Sequence, residues 1–307
     1  MKKDLISIKY LSHSEIESLF ALAQRVKAKP GAFHHKLKGK TLGLIFQKPS
    51  NRTRVSFEVG IYELGGHSIY LGPDDIKLGV REATRDIAQT LSRYLDCIVA
   101  RTYAHQDIVD LARYATIPVI NGLSELTHPC QALADVFTIK EKFKKVKGIK
   151  LAFIGDGNNV LHSLLYCGAK TGLDISIATP KGYEPNSQIL KEAKDFAKAT
   201  GAHIEIAKDK SEAAKDADVL YTDVWTSMGQ EVEREKRLRD FSGFQIDTSL
   251  LKKAKKGCIV MHCLPAHRGE EITDEVIDSK NSVVFDEAEN RLHVQKAILI
   301  KLLGDKR

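Results

Sequence analysis

Short runs of consecutive aliphatic and β-branched residues recur along the chain, and the segments between them space their apolar residues three or four apart. The runs at 41–46, 68–71, 97–100 and 118–120 predict a first set of strands. Those at 150–154, 175–178, 204–206, 219–221, 258–261 and 283–285 predict a second. Between the early runs, 53–64, 83–94 and 107–114 carry the helical period, and longer helical stretches follow at 131–143 and 287–303. Uninterrupted apolar strands are buried on both faces, so this alternation predicts an α/β fold of parallel sheets flanked by helices. The stretch around 131–143 is the expected link between two such domains. In sheets of this kind ligands sit at the carboxyl ends of the strands, so the turns after each run are the places to look for chemistry.

Length allows two domains of ordinary size: 307 residues, 43% hydrophobic and 28% charged, as in a soluble globular protein. No apolar run reaches the roughly 18 residues of a spanning helix, and no signal peptide is evident at the start. Five cysteines without dense spacing fit a reducing cytoplasm, so a cytoplasmic protein without membrane partners is expected. A net charge of +7 is compatible with nucleic acid, membrane surface or small anions. The densest basic segments, 140–150 and 252–256, lack interleaved aromatics to stack on bases. They read as solvated faces, and no nucleic-acid partner is expected.

Ser50-Asn51-Arg52-Thr53-Arg54-Val55 follows the 41–46 strand. Ser50 stands where a helix N-cap would stand, and two arginines fall inside the first turn. Cations there oppose the helix dipole, so local stability does not explain them. An anion gripped by the free N–H groups, a hydroxyl and guanidinium forks would. The alternative is a helix start whose arginines form solvent-exposed ion pairs. His128-Pro129-Cys130-Gln131 places Pro129 to open a helix, with His128 and Gln131 at its start. His can donate to a carbonyl oxygen and Gln can bind an amide, though an ordinary helix cap looks the same.

Gly155-Asp156-Gly157-Asn158-Asn159-Val160 looks like part of a dinucleotide fingerprint, but Val160 replaces the third glycine and the next strand ends in Thr179, not an acid. Its glycines still permit a tight turn, and Asn158 or Asn159 can face a ligand. Gly39-Lys40-Thr41 lacks the earlier glycine of a P-loop and precedes a strand. Asp223, after the 219–221 strand, can pair with an ammonium group, and Ser227-Met228-Gly229 has the small, flexible composition of a closing loop. A surface loop would read similarly. Cys258, His262, Cys263 and His267 invite a metal reading. Adjacent side chains on an extended run should diverge, however, so no shared tetrahedral site, and no metal, is expected. Cys263 beside Leu264-Pro265 reads as one thiol at a strand end.

Together, Ser50–Arg54, His128–Gln131, Asp223–Gly229 and His262-Cys263-Leu264-Pro265, in this order, resemble the aspartate and ornithine carbamoyltransferase family, and the resemblance covers essentially the whole chain. It implies a carbamoyl-phosphate-binding domain over 1–132, an L-ornithine-binding domain over 133–286, and a C-terminal helix, 287–307, returning to the first. It also implies a homotrimer or a multiple of trimers. By this resemblance Ser50, Asn51, Arg52 and Thr53 hold the phosphate, Arg101 reaches both the phosphate and the carbamoyl carbonyl oxygen, and His128 donates to that oxygen. Gln131 and the carbonyls of Cys263 and Leu264 hold the carbamoyl nitrogen, and Arg291 completes the pocket. Asn159, Asp223, Ser227 and Met228 bind the amino-acid head of ornithine, and Cys263 lies beside its side-chain amine. Arg52, Arg101, His128 and Cys263 are then the catalytic set, and the chemistry requires no cofactor.

Two residues depart from the family pattern. Asn51 stands where the phosphate loop usually carries Thr, keeping its hydrogen-bonding capacity. Lys77 stands where ornithine-specific members usually have Gln or His from a neighbouring subunit, and a lysine there suits phosphate. Asp223 disfavours aspartate, whose second carboxylate it would repel. Putrescine, without an α-amine or carboxylate, would leave Ser227 and Met228 without a purpose. A non-catalytic anion- or nucleic-acid-binding protein on this scaffold would have no use for Arg52, Arg101, His128, Gln131 and Cys263 together.

Overall fold

The computed structural model describes residues 3–227, 229 and 231–304, so Met228 lies outside the described residues. The chain divides into two compact units, Met1–Ala134 with Glu289–Arg307, and Asp135–Ala288. The first holds a parallel sheet in the order β2-β1-β3-β4, formed by β1 (Thr41–Phe46), β2 (His67–Leu71), β3 (Cys97–Arg101) and β4 (Val119–Leu123). The second holds a parallel sheet in the order β7-β6-β5-β8-β9, formed by β5 (Lys150–Ile154), β6 (Asp174–Ala178), β7 (Ile204–Ile206), β8 (Val219–Thr222) and β9 (Ile259–His262). Five helices matter for the site: α1 (Asn51–Glu63), α2 (Pro129–Phe143), α3 (Asn159–Thr171), α4 (Arg234–Asp240) and α5 (Val284–Leu303).

The interior strands are apolar because helices cover both faces. Leu42, Leu44, Ile45 and Phe46 of β1 are fully buried, as are Leu151, Ala152, Phe153 and Ile154 of β5. Each sheet has a switch point, where successive connections leave in opposite directions. In the first unit it lies between β1 and β3, with Phe46 in register with Arg101. In the second it lies between β5 and β8. The anion segment after β1 and the Asn158-Asn159 and Asp223 segments after β5 and β8 therefore stand at crevices that this topology creates.

The last helix does return to the first unit. Lys27 reaches Asn290 at 2.9 Å, and Lys296, whose side chain is fully buried, pairs with Glu63. The strand expected at 283–285 does not form. The Val283 N–H donates to the Val260 carbonyl at 2.9 Å, ending a brief bridge, and α5 begins at Val284. Phe285 is 74% exposed, which no buried strand would tolerate. A three-residue β-branched and aromatic run is ambiguous by periodicity, and Asp286 and Glu287 in the first turn favour a helix start.

Candidate functional site

In the first unit, Ser50 takes extended geometry as the N-cap of α1, and its hydroxyl accepts from the Thr53 N–H at 3.2 Å. The first turn holds no acidic residue. The two arginines behind Ser50 separate. Arg54 donates to Glu58 at 3.0 Å and lies 3.7 Å over the Tyr70 ring, so its charge is spent on the surface of the unit and the expectation of two forks on one anion is corrected. Arg52, two residues earlier and about 200° around the helix, acts instead on His128.

His128, placed before Pro129 at the start of α2, is 5% exposed. Burial first, and then the charges of Arg291, Arg101 and Arg52, hold its imidazole well below the usual range. It is therefore a neutral ring, suited to donate to a carbonyl oxygen. Arg101 ends β3 and is buried. Arg291, on α5 and also buried, donates to the Gln131 side-chain oxygen and to the Thr53 hydroxyl at 3.1 Å, locking the starts of α1 and α2 together. The Gln131 oxygen has a second lone pair for another N–H. Three guanidinium groups around one uncharged imidazole repel each other, and an anion with several oxygens relieves that repulsion. Asn51 is exposed at the helix start, and Lys77 is exposed on the loop after β2.

In the second unit, Asp223 follows β8 and is 5% exposed. One of its oxygens accepts from the Val224 N–H at 2.8 Å and from the Cys263 thiol at 3.0 Å. The other accepts from the Asn158 amide at 2.7 Å. Asn158 also caps α3, its oxygen accepting from the N–H groups of Val160 and Leu161. Asn158 thus holds Asp223 in place, and half-buried Asn159 begins the helix. Burial and then the Asp223 carboxylate push the Cys263 thiol well above its usual range, so it is a hydrogen donor rather than a thiolate. Ser227 is half-buried in the segment after Asp223.

Asp223, His262 and Cys263 bring ligand atoms within 4.8 Å of one another, contrary to the expected divergence. The strand ends at His262, and Leu264 turns at a φ of 55°, so strand alternation no longer governs Cys263. These groups are nevertheless engaged. The His262 Nδ1 accepts from the Leu264 N–H at 2.9 Å and its Nε2 donates to Glu271 at 3.0 Å. The Cys263 S–H is given to Asp223. The geometry is that of a hydrogen-bonded network, with Leu264 held by the ring of His262 two residues earlier.

Two supports escaped sequence reasoning. Arg237, on α4, donates to Asp156 and to the Trp225 carbonyl, each at 2.9 Å, bracing the segment that follows Asp223. It sits in a charged stretch that reads as a solvated face, yet is 6% exposed. Burial raises the Asp156 carboxyl more than Arg237 lowers it, so the pair adds little net stability, but removing one partner strands the other. Arg237→Gln is expected to cost about 3–5 kcal/mol in a denaturant melt. The glycine-rich turn is also explained. A Cβ on Gly157 would meet the Pro185 nitrogen at 2.3 Å, so packing against 183–185 demands glycine there, with no nucleotide involved.

Residues 3–141 match the family model described as the carbamoyl-P binding domain of aspartate/ornithine carbamoyltransferase, and residues 147–302 match its Asp/Orn binding domain. The chain belongs to the aspartate/ornithine carbamoyltransferase family. Among its relatives is the ornithine carbamoyltransferase of Pyrococcus horikoshii, 55% identical over 304 residues, which span 98% of this chain and 96% of that one. The enzyme of Pyrococcus furiosus named anabolic ornithine carbamoyltransferase is 54% identical over the same length, 98% of this chain and 96% of its own. The solved ornithine carbamoyltransferase of Pyrococcus furiosus superposes with a TM-score of 0.96 at 53% identity, covering 99% of this chain and 98% of that chain. The ornithine transcarbamoylase of Giardia lamblia gives 0.91 at 35% identity, with complete coverage of both chains.

Proposed function

We propose that the protein is an ornithine carbamoyltransferase, moving the carbamoyl group of carbamoyl phosphate to the δ-amine of L-ornithine to give L-citrulline and phosphate. The observation that carries this reading is the gathering of Arg52, Arg101 and Arg291 around a neutral His128 at the switch point of the first unit. A doubly charged phosphate meets the arginines and the N–H groups capped by Ser50. The carbonyl oxygen takes the hydrogen of His128 and the charge of Arg101. Gln131 and the carbonyls of Cys263 and Leu264 hold the carbamoyl nitrogen. Asp223, Ser227, Met228 and Asn159 take the amino-acid head of ornithine.

The δ-amine attacks the carbamoyl carbon, a tetrahedral oxyanion forms, and phosphate leaves. Nothing has to be covalently attached to the protein, so catalysis is positioning, worth up to about 7–11 kcal/mol, and oxyanion stabilisation, worth about 2.7–4 kcal/mol per donor. The amine must lose its proton to attack. Desolvation disfavours the ammonium form, and the Cys263 thiol beside it orients the nitrogen. The Cys263→Ala variant is expected to show a displaced basic limb in its pH–rate profile. A profile superimposable on the parent's removes that role.

The choice of ornithine over aspartate follows from charge. Asp223 stands with the buried acids Asp135 and Glu287 in the second unit, a setting hostile to a second carboxylate. Citrulline formation measured against L-ornithine, L-aspartate and putrescine tests this, with turnover expected for ornithine alone. Rapid carbamoylation of aspartate contradicts it. The anabolic direction, as a step of arginine biosynthesis, accords with the relative named anabolic.

A homotrimer, or a multiple of trimers, is part of the proposal. Val55, Val59 and Tyr62 are exposed on one face of α1, at 48, 38 and 72%, and Ile69 on the edge strand β2 at 44%, an apolar surface suited to a second copy. Lys77 on its exposed loop is then available to a neighbour's phosphate. Among the described residues no helix is long and apolar enough to cross a membrane, and a cytoplasmic location is proposed with it.

A further inference from the structure

Beneath the Asp223 segment lie three polar side chains that the reaction as described does not use. Asp135 on α2 and Glu287 on α5 are fully buried, as is Tyr221 on β8. The Tyr221 hydroxyl stands 3.1 Å from an Asp135 oxygen and 3.3 Å from Oε1 of Glu287. Glu287 hydrogen-bonds Asp135 directly. Its other oxygen, Oε2, accepts from the backbone N–H of His262 at 3.0 Å, at the last residue of β9 and immediately before Cys263. Two carboxylate oxygens in contact need a hydrogen between them, because both groups otherwise only accept. Tyr221 has one hydrogen, which serves one oxygen well at a time. From β8 the Asp223 carboxylate faces this cluster, and from the turn after β9 the Cys263 thiol, which burial keeps protonated; negative charge at either disfavours more of it here. The His262 ring is occupied by Glu271, and Lys142, farther along α2, pairs at 3.0 Å with Asp286, the residue before Glu287.

We infer that Asp135 and Glu287 hold one proton between them, and that this shared proton fixes the end of β9, making both acids positioning residues for Cys263 and the ornithine-binding half. The inference rests on the reading of Asp223 and Cys263 proposed above. Burial and the neighbouring Asp135 push Glu287 well above the usual carboxylate range, in keeping with a protonated pair at neutral pH. If both acids ionised, two adjacent negative charges would sit in a dry core. If neither did, Tyr221 and the His262 N–H would lose their best acceptor.

Infrared spectra of the full-length protein in D2O at neutral pH test the proton itself. The parent is expected to show the carbonyl stretch of a buried protonated carboxyl group, absent from both Glu287→Gln and Asp135→Asn. The same band persisting in both variants overturns the inference, whatever the enzyme turns over. Steady-state kinetics test the positioning. Glu287→Ala leaves the His262 N–H without its acceptor and is expected to raise KM for ornithine about tenfold, the equivalent of one unpaired buried donor, with KM for carbamoyl phosphate unchanged. Glu287→Gln, which keeps the shape and gives Asp135 a hydrogen, should restore most of that loss. An ornithine KM at the parent's level in Glu287→Ala overturns the positioning role. Should Glu287→Ala not fold, the two amide variants still decide the matter through the band. Loss of citrulline formation from the parent itself would instead fault the ornithine assignment and leave the infrared result standing.

Discussion

Arg52→Ala is expected to lower kcat about 10²- to 10³-fold, the effect of deleting one donor aimed at developing charge, and to weaken carbamoyl phosphate as well. Arg52 sits in the first turn of a helix whose N-terminus already carries positive partial charge, within reach of the field of Arg101 and Arg291 at His128. Its removal relieves that repulsion. In the absence of substrates the variant is therefore expected to melt at or above the parent's denaturant midpoint, with a gain of up to about 1 kcal/mol. Activity and stability then move in opposite directions, as they do where a site is built from mutually repelling groups. Arg54→Ala, two residues away, is the contrast, because Arg54 is engaged with Glu58 and Tyr70. Steady-state rates and unfolding curves on the two variants separate the roles. Near-parent turnover in Arg52→Ala contradicts the phosphate assignment.

Asp223→Ala is expected to raise KM for ornithine about 100-fold or more, as loss of one partner from a desolvated charge pair does, while KM for carbamoyl phosphate stays near the parent's. Three donors lose their acceptor together: the Asn158 amide, the Val224 N–H and the Cys263 thiol. The thiol supplies an independent readout. Asp223 is among the causes that raise its pKa, so its removal lowers that pKa and increases the thiolate fraction at a given pH. Alkylation of Cys263 should therefore run faster in Asp223→Ala than in the parent. A variant with parent ornithine KM and unchanged alkylation contradicts the placement of the amino-acid head.

The fold was legible because parallel sheets buried on both faces leave unbroken apolar runs, and nine of those runs sit on strands, with ends that coincide or differ by at most three residues. Cys97–Arg101 and Ile259–His262 show why the ends matter, since Arg101 and His262 each close a strand one residue beyond the apolar run that predicts it. Val283–Phe285 failed because Asp286 and Glu287 behind it favour a helix start, whereas the equally short run Ile204–Ile206 does form a strand. The segment proposed to hold the anion stands out through a contradiction, two arginines where the dipole disfavours them, but nothing in their spacing tells that Arg54 turns to Tyr70. The supports were the hardest to read. Asp135 interrupts an apolar stretch of α2 and Arg237 lies in a charged run, and in both cases polar type suggests solvent. Their burial is a property of tertiary packing, visible only when Tyr221, Glu287, Asp156 and the Trp225 carbonyl are brought to them.

The duties proposed for the two units, a grip on phosphate in one and on the amino-acid head in the other, are tested together by a single measurement: a crystal structure with a bisubstrate inhibitor joining a phosphonoacetyl group to the δ-nitrogen of ornithine. Its phosphonate should lie within hydrogen-bond reach of Arg52 and the Thr53 N–H, with its α-amino group on Asp223 and Ser227. An inhibitor bound away from those residues, or in the reverse orientation, would contradict the assignment.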